Sequence, residues 1–199
     1  MTTHQSKIEK LIAELCPDGV EFKELGEVCL SISAGGDLPE KYQKGQIAPT
    51  EEFPYPIYSN GTNEKALYGY SDSYKINGEA VTISARGTIG YHTFRNEKFT
   101  PIVRLIILIP NTELISSKFL NYALDITEIA SSGGSIPQLT VPNVKPIKIP
   151  LPPLTEQERI VSILDKFDAL VNDISVGLPA ELNARRKQIR ILSKQALNF

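Results

Sequence analysis

The chain has almost none of the residues from which metal centres and many catalytic sites are built. Of its 199 residues only two are cysteine, Cys16 and Cys29, and only two are histidine, His4 and His92. A lone cysteine pair without histidine companions matches no zinc spacing and makes no disulfide framework. The sequence contains no HExxH pair, nucleophile elbow, P-loop or GxGxxG turn. An NPPY-like methyltransferase motif is also missing, since Asn143 is followed by Val144. Arg86-Gly87-Thr88-Ile89-Gly90 carries two glycines but leads from one strand-like run into another, whereas a phosphate cradle opens onto a helix N-terminus. Long apolar runs are absent too. The longest, Leu105 to Ile109, is strand-sized, and a membrane-spanning helix needs about 20 residues. Ser6 to Lys10 interrupts any apolar leader, so a soluble, cytoplasmic protein is expected. No metal and no bound cofactor is expected.

Strong charge of either sign is lacking as well, at a net −2. Its distribution says more. Residues 1–52 hold 5 Lys/Arg against 10 Asp/Glu, residues 53–150 hold 9 against 7, and residues 151–199 hold 7 against 6. The mild basic bias of the middle permits a phosphate-contacting surface without demanding one.

What is present is a patterned body followed by a long helical tail. Lys7 to Leu15 places Ile8, Leu11, Ile12 and Leu15 on one helical face, and Cys16-Pro17-Asp18-Gly19 turns the chain. Val20 to Leu30 reads as a strand, and the polar stretch Ser31 to Phe53 as a long surface loop. Pro56 to Ser59 reads as a strand that enters the Asn60-Gly61 turn. Ala80 to Ala85 and Ile89 to Phe94 form a hairpin around Arg86-Gly87-Thr88. Pro101 to Pro110 is the most apolar strand and is expected to be central. Ser116 to Ile129 reads as a helix, Ser131 to Ser135 as a loop, and Pro137 to Ile149 as an extended segment.

Pro150-Leu151-Pro152-Pro153 forbids helix, and Thr155 with Glu158 forms a capping box that starts one. Ile160, Ile163, Phe167, Leu170 and Ile174 then recur at a spacing of three and four, a coiled-coil seam. Gly177-Leu178-Pro179 kinks the helix before Leu182, Ile189 and Leu192 resume the pattern. Some 40 helical residues would span roughly 60 Å, more than a body of this size needs, so the tail points to a partner.

The polar residues around the turns are the candidates for recognition. Arg86 and Thr88 sit on the hairpin tip. Asn60 and Asn63 flank the Asn-Gly turn, and Gln138 follows the small-residue loop. Such side chains suit phosphate or base-edge contacts, although Asn-Gly is first of all a turn former.

Four blocks, in order, resemble the specificity subunits of type I restriction-modification systems. They are Leu11 to Glu27 around Cys16-Pro17-Asp18-Gly19, Ile83 to Gly90, Ser135 to Leu139, and Pro150 to Leu170. The resemblance implies an α+β fold: a globular target recognition domain with a mixed or antiparallel β-sheet over residues 1–153, then a helical spacer and dimerisation arm over residues 154–199. It implies a subunit that is not itself an enzyme. Such a subunit binds double-stranded DNA and docks the methyltransferase subunit, which carries S-adenosylmethionine and methylates adenine, and the endonuclease subunit. The residues expected to meet DNA are Arg86, Arg95, Arg104 and Lys145 as charge donors, and Asn60, Asn63, Ser84, Thr88, Ser135 and Gln138 as polar readers. Usual members have two recognition domains, and this chain has the length for one. A homodimer paired through the arms is therefore expected to read an interrupted palindrome. The alternative is a half-subunit that binds other subunits without reading DNA.

Overall fold

The computed structural model of the chain describes residues 19–129 and 137–170. Among these, the strands are β1 (Phe22–Glu24), β2 (Cys29–Ala34), β3 (Tyr42–Lys44), β4 (Tyr55–Tyr58), β5 (Leu67–Ser71), β6 (Ile76–Ser84), β7 (His92–Pro101), β8 (Leu105–Pro110) and β9 (Lys148–Pro150). The helices are α1 (Leu25–Val28), α2 (Ser117–Asp125) and α3 (Val141–Val144), with a 3-10 turn at Asn63–Ala66. A further helix, α4, covers residues 154–170. The chain divides into two compact units, Met1–Glu158 and Arg159–Phe199.

In the first unit, seven strands form one mixed sheet in the order β2-β8-β6-β7-β4-β5-β3. β4 and β7 run parallel, and the other neighbouring pairs are antiparallel. β1 and β9 form a separate antiparallel pair. The fold is thus α+β with a mixed sheet. β8 lies between β2 and β6, and Leu105, Ile106, Ile107 and Leu108 are all buried. A strand covered on both faces reads as a continuous apolar run, which is why this segment stood out in the sequence. One face of the sheet meets α2, whose Phe119, Leu120, Ala123 and Leu124 are buried. Ser116 caps that helix by accepting the Phe119 N–H. On the sheet, Ala80, Phe99 and Ile107 cluster with Tyr58, Ile76 and Ile109. Burying an Ile or Phe side chain of this kind contributes about 1.5–3 kcal/mol.

Several sequence expectations need correction. The run Val20 to Leu30 is not one strand: β1 passes into the helical turn α1, closed by a reciprocal bond between Glu24 and Glu27, before β2 begins. The stretch Ser31 to Phe53 is not all loop, since β2 extends to Ala34 and β3 pairs with β5. Pro101 to Pro110 is two strands, because the chain turns at Ile102–Arg104 and Arg104 takes a φ of 72°. The hairpin return begins at His92 rather than Ile89. The helix expected from Ser116 to Ile129 ends at Asp125. Pro137 to Ile149 contains α3, with Pro142 in its first turn, and is not uniformly extended. Thr155 is not the cap of α4: the Pro153 carbonyl accepts the Glu156 and Gln157 N–H groups, so the helix starts two residues earlier, at residue 154.

Gln157 closes the first unit. It is fully buried, its Oε1 accepts the Ser116 N–H at 2.9 Å, and its Nε2 donates to the carbonyls of Leu114 and Pro152, each at 2.9 Å. In the second unit, Ile163, Phe167 and Leu170 are exposed and Ile160 is half-buried. The expected helix Lys7 to Leu15 and the seam positions Ile174, Leu182, Ile189 and Leu192 lie outside the described residues.

Candidate nucleic-acid interface

Four loops meet at one end of β6. The first follows β4. It closes on itself through Ser59 N–H to Ala66 O, and a Cβ on Gly61 would stand 2.6 Å from the Lys65 carbonyl, so only glycine fits there. The second, residues 85–91, joins β6 to β7. It is tied by Ser84 N–H to Tyr91 O, Gly90 N–H to Ser84 O, Tyr91 N–H to Thr88 O and Thr88 N–H to Arg86 O. Gly87 supplies the left-handed φ of 79° this turn requires. The third is the turn Ile102–Arg104, and the fourth is the segment at Gln138–Leu139. Ala85 joins them: its N–H donates to Arg104 O and its carbonyl accepts the Leu139 N–H, both at 2.8 Å.

This geometry gathers most of the expected reading residues. Asn60 Nδ2 donates to Arg86 O at 3.0 Å, locking the Asn-Gly turn to the hairpin tip. Asn63 stands on the same loop, Thr88 is exposed at the tip, and Gln138 neighbours Leu139 beside Ala85. Ser84 lies beneath them, 1% exposed, and its Oγ accepts the Gly61 N–H at 3.3 Å. It supports the first loop from below. Arg104 is exposed beside Val103 and Leu38, at a cleft of about 340 Å³ that Ser59 and Tyr68 also line. Among the described residues the guanidinium groups of Arg86 and Arg104 have no hydrogen-bond or ion-pair partner.

Two candidates stand elsewhere. Arg95 lies on the sheet face, its guanidinium 3.4 Å from the centre of the Tyr58 ring and its Nε donating to Thr82 Oγ1 at 3.3 Å. Burial lowers its pKa and raises that of Tyr58, whose hydroxyl donates to Glu97 at 2.8 Å. Lys145 is exposed at the end of α3, where its carbonyl accepts the Gly26 N–H. Ser135 lies outside the described residues.

One residue of the site was invisible to sequence reasoning. The Tyr91 hydroxyl accepts the Asn63 N–H at 2.9 Å and donates to Asn63 Oδ1 at 2.8 Å. Nothing in the order of residues signals a bond across 28 positions. His92, one of the two histidines, bridges Gly90 O at 2.9 Å and Asp125 Oδ1 at 3.1 Å, tying the second loop to the end of α2. Asn63 and Arg104 are also the only non-glycine residues with positive φ among the described residues, at 51° and 72°. Strained backbone gathered at one place is a mark of functional surfaces. No group of His, Cys, Asp and Glu able to hold a metal ion occurs among the described residues, and no described helix is long and apolar enough to cross a membrane.

Comparison with known proteins gives a consistent picture. The family described as type I restriction modification DNA specificity domain matches residues 17–184. A Mycoplasma pneumoniae protein described as a type I specificity subunit, S.MpnORF89P, is 33% identical over 169 residues, covering 85% of this chain and 49% of its own length. The specificity subunit of the type I restriction enzyme MpnII from the same organism is 29% identical over 188 residues, covering 94% and 54%. The crystal structure of a type I S subunit from M. genitalium superposes with a TM-score of 0.60 at 18% identity, covering 78% of this chain and 41% of that one. This chain spans about half the length of the curated relatives it matches, 49% of each of the first two.

Proposed function

Because the chain belongs to the type I restriction-modification DNA specificity family, we propose that it is a sequence-reading, non-catalytic DNA-binding subunit whose reading surface is the meeting point of four loops at the end of β6. One observation carries this reading: two arginines whose guanidinium groups have no partner among the described residues, Arg86 and Arg104, stand among Asn60, Asn63, Thr88 and Gln138 on braced loops. Guanidinium groups anchor phosphates or take guanine O6 and N7 together, and amides read base edges. Residues 1–153 form the reading body in this view, and residues 154–199 the arm. Lys145 and Arg95 then act from outside the cluster, Lys145 on the phosphate backbone and Arg95 by fixing the Tyr58 face.

The partners are double-stranded DNA, an adenine methyltransferase subunit that brings S-adenosylmethionine, an endonuclease subunit, and a second copy of the chain in the cytoplasm. Pairing through the arm is supported by Ile163, Phe167 and Leu170, exposed by 41%, 60% and 58%. These apolar side chains recur at coiled-coil spacing and gain by mutual burial. A two-fold pair presents two reading bodies to a two-fold site, hence an interrupted palindrome.

Coexpression with a type I methyltransferase subunit, followed by methylome sequencing, tests the reading. The expected result is a new bipartite adenine motif. An intact complex that writes no motif would leave an assembly role only. Arg86→Ala is expected to cost about 1–3 kcal/mol of DNA affinity, the range for a bidentate guanine contact. Unchanged binding and an unchanged motif would exclude that contact.

A further inference from the structure

The turn between β7 and β8 displays an apolar side chain at its middle residue. Val103 is 51% exposed, and Leu38, from the segment after β2, is 36% exposed. Both line the cleft that Arg104 shares. A single exposed apolar side chain needs no explanation. Two of them, brought together from remote segments beside a guanidinium with no partner among the described residues, make a small mixed surface.

The turn is held firmly. Ile102 N–H donates to Tyr58 O at 2.9 Å, Ser59 Oγ donates to Val103 O at 3.3 Å, and Arg104 O accepts the Ala85 N–H at 2.8 Å. Just past the end of β2, Gly35 N–H donates to Leu105 O at 2.8 Å and Gly36 N–H to Pro101 O at 3.2 Å. A Cβ on Gly35 would stand 2.1 Å from the Ile102 carbonyl oxygen, so glycine there lets the two backbones touch. Ile102 and Leu105 are buried in the body, while Arg104 takes a left-handed φ of 72°. Val103 is thereby kept outward, on a β-branched side chain with little rotational freedom of its own.

The edges of bases in the major groove carry one apolar group, the C5-methyl of thymine. A guanidinium beside an apolar reader suits the adjoining phosphate, since phosphate contacts position a protein and base contacts specify the sequence. Arg86 reinforces this sign of charge, because its loop is joined to the turn through Ala85. Asp37 lines the same cleft, and its main-chain carbonyl accepts Lys75 Nζ at 3.1 Å, which brings a cation to that residue. The flanking charge thus fits a polyanion better than the apolar face of a protein.

On the reading that this surface contacts DNA, we infer that Val103 is a specificity-determining residue that packs, with Leu38, against the C5-methyl of one thymine of the half-site, while Arg104 holds a neighbouring phosphate.

Uracil differs from thymine only by lacking that methyl, which gives a direct test. Methylome sequencing of cells coexpressing the full chain and the methyltransferase subunit defines the motif. The purified complex is then titrated with duplexes in which each thymine of the half-site is replaced singly by uracil. At one position uracil should weaken binding about fourfold, the worth of one buried methyl group. For Val103→Ala, thymine and uracil should bind alike at that position, and Val103→Ile should keep the preference. Urea melts of Val103→Ala should match those of the wild type, because the side chain is half exposed. A half-site without thymine, or a uracil penalty that Val103→Ala leaves intact, overturns the inference and leaves DNA reading standing. Loss of the methyltransferase subunit on purification of Val103→Ala, with that penalty unchanged, also overturns it and assigns the turn to a protein partner. A wild-type chain that writes no motif removes DNA reading and this inference together.

Discussion

A single buried amide shows how much one residue can hold. Gln157 satisfies three main-chain groups drawn from two distant stretches, Leu114 to Ser116 and Pro152. Gln157→Leu keeps the approximate volume but orphans all three. An unsatisfied buried group costs about 1–3 kcal/mol, so urea melts of the variant should show a loss of at least that size. Gln157→Glu retains only the acceptor for Ser116 and sets a carboxylate against two carbonyls, so it should not restore stability. Cys29 gives a second check at this scale. Burial pushes its thiol up to about 12, from an ordinary value near 9. The folded thiol holds its proton more tightly than the unfolded one. Its contribution to stability is therefore complete below about pH 9 and is lost as the pH climbs towards 12. In a Cys16→Ser background, alkylation at pH 8 should be slow for the native chain and fast once it is unfolded; equal rates would contradict the shift. At this scale the sequence was legible wherever a turn announced itself, as at Asn60-Gly61 and Arg86-Gly87. It was illegible where burial decided the role, as for Ser84 and Arg95, and where the partner was remote in sequence, as for Tyr91.

Elements were easier to read than their ends. The apolar runs that became β6 and β8 were evident because burial on both faces leaves no alternation to misread. Ile83→Ala, in the buried half of β6, should cost about 2–5 kcal/mol in urea melts. What the pattern missed were short pieces whose pairing is non-local. β3, three residues of Tyr-Gln-Lys, exists because β5 offers it an edge. The break between β7 and β8 comes from Arg104, whose left-handed backbone no propensity favours in an arginine. Its conformation yields a prediction. Arg104→Gly relaxes φ 72° and should leave stability equal or raise it by up to about 1 kcal/mol. DNA affinity should fall at the same time, and its salt dependence should become shallower by about one phosphate contact. A variant that loses stability and keeps its affinity would reverse the assignment.

At the scale of the molecule, the order of four sequence blocks anticipated both the α+β class and the family. Composition alone is uninformative here, since a net charge of −2 gives no hint of the phosphate-facing surface proposed above. The acidic excess lies in residues 1–52 of the sequence. Self-association belongs to this scale too. Phe167→Glu puts a charge into the proposed seam and should shift light scattering from dimer to monomer. The urea stability of the reading body should not change, because Phe167 lies in the other compact unit. A dimer that survives this substitution would place the pairing surface elsewhere.

The loops at the end of β6 are tied together by peptide groups crossing at Ala85 and by the side chains of Asn60, Ser84 and Tyr91, and the side chains of Arg86, Thr88 and Arg104 take no part in these ties. A mounting of that kind is indifferent to its contents. Arg86, Thr88 and Arg104 can be exchanged for other residues without unseating the frame. On the proposed reading, new target preferences are then reachable one substitution at a time, each intermediate still folded: the backbone is the constant and the alphabet it displays is free to drift.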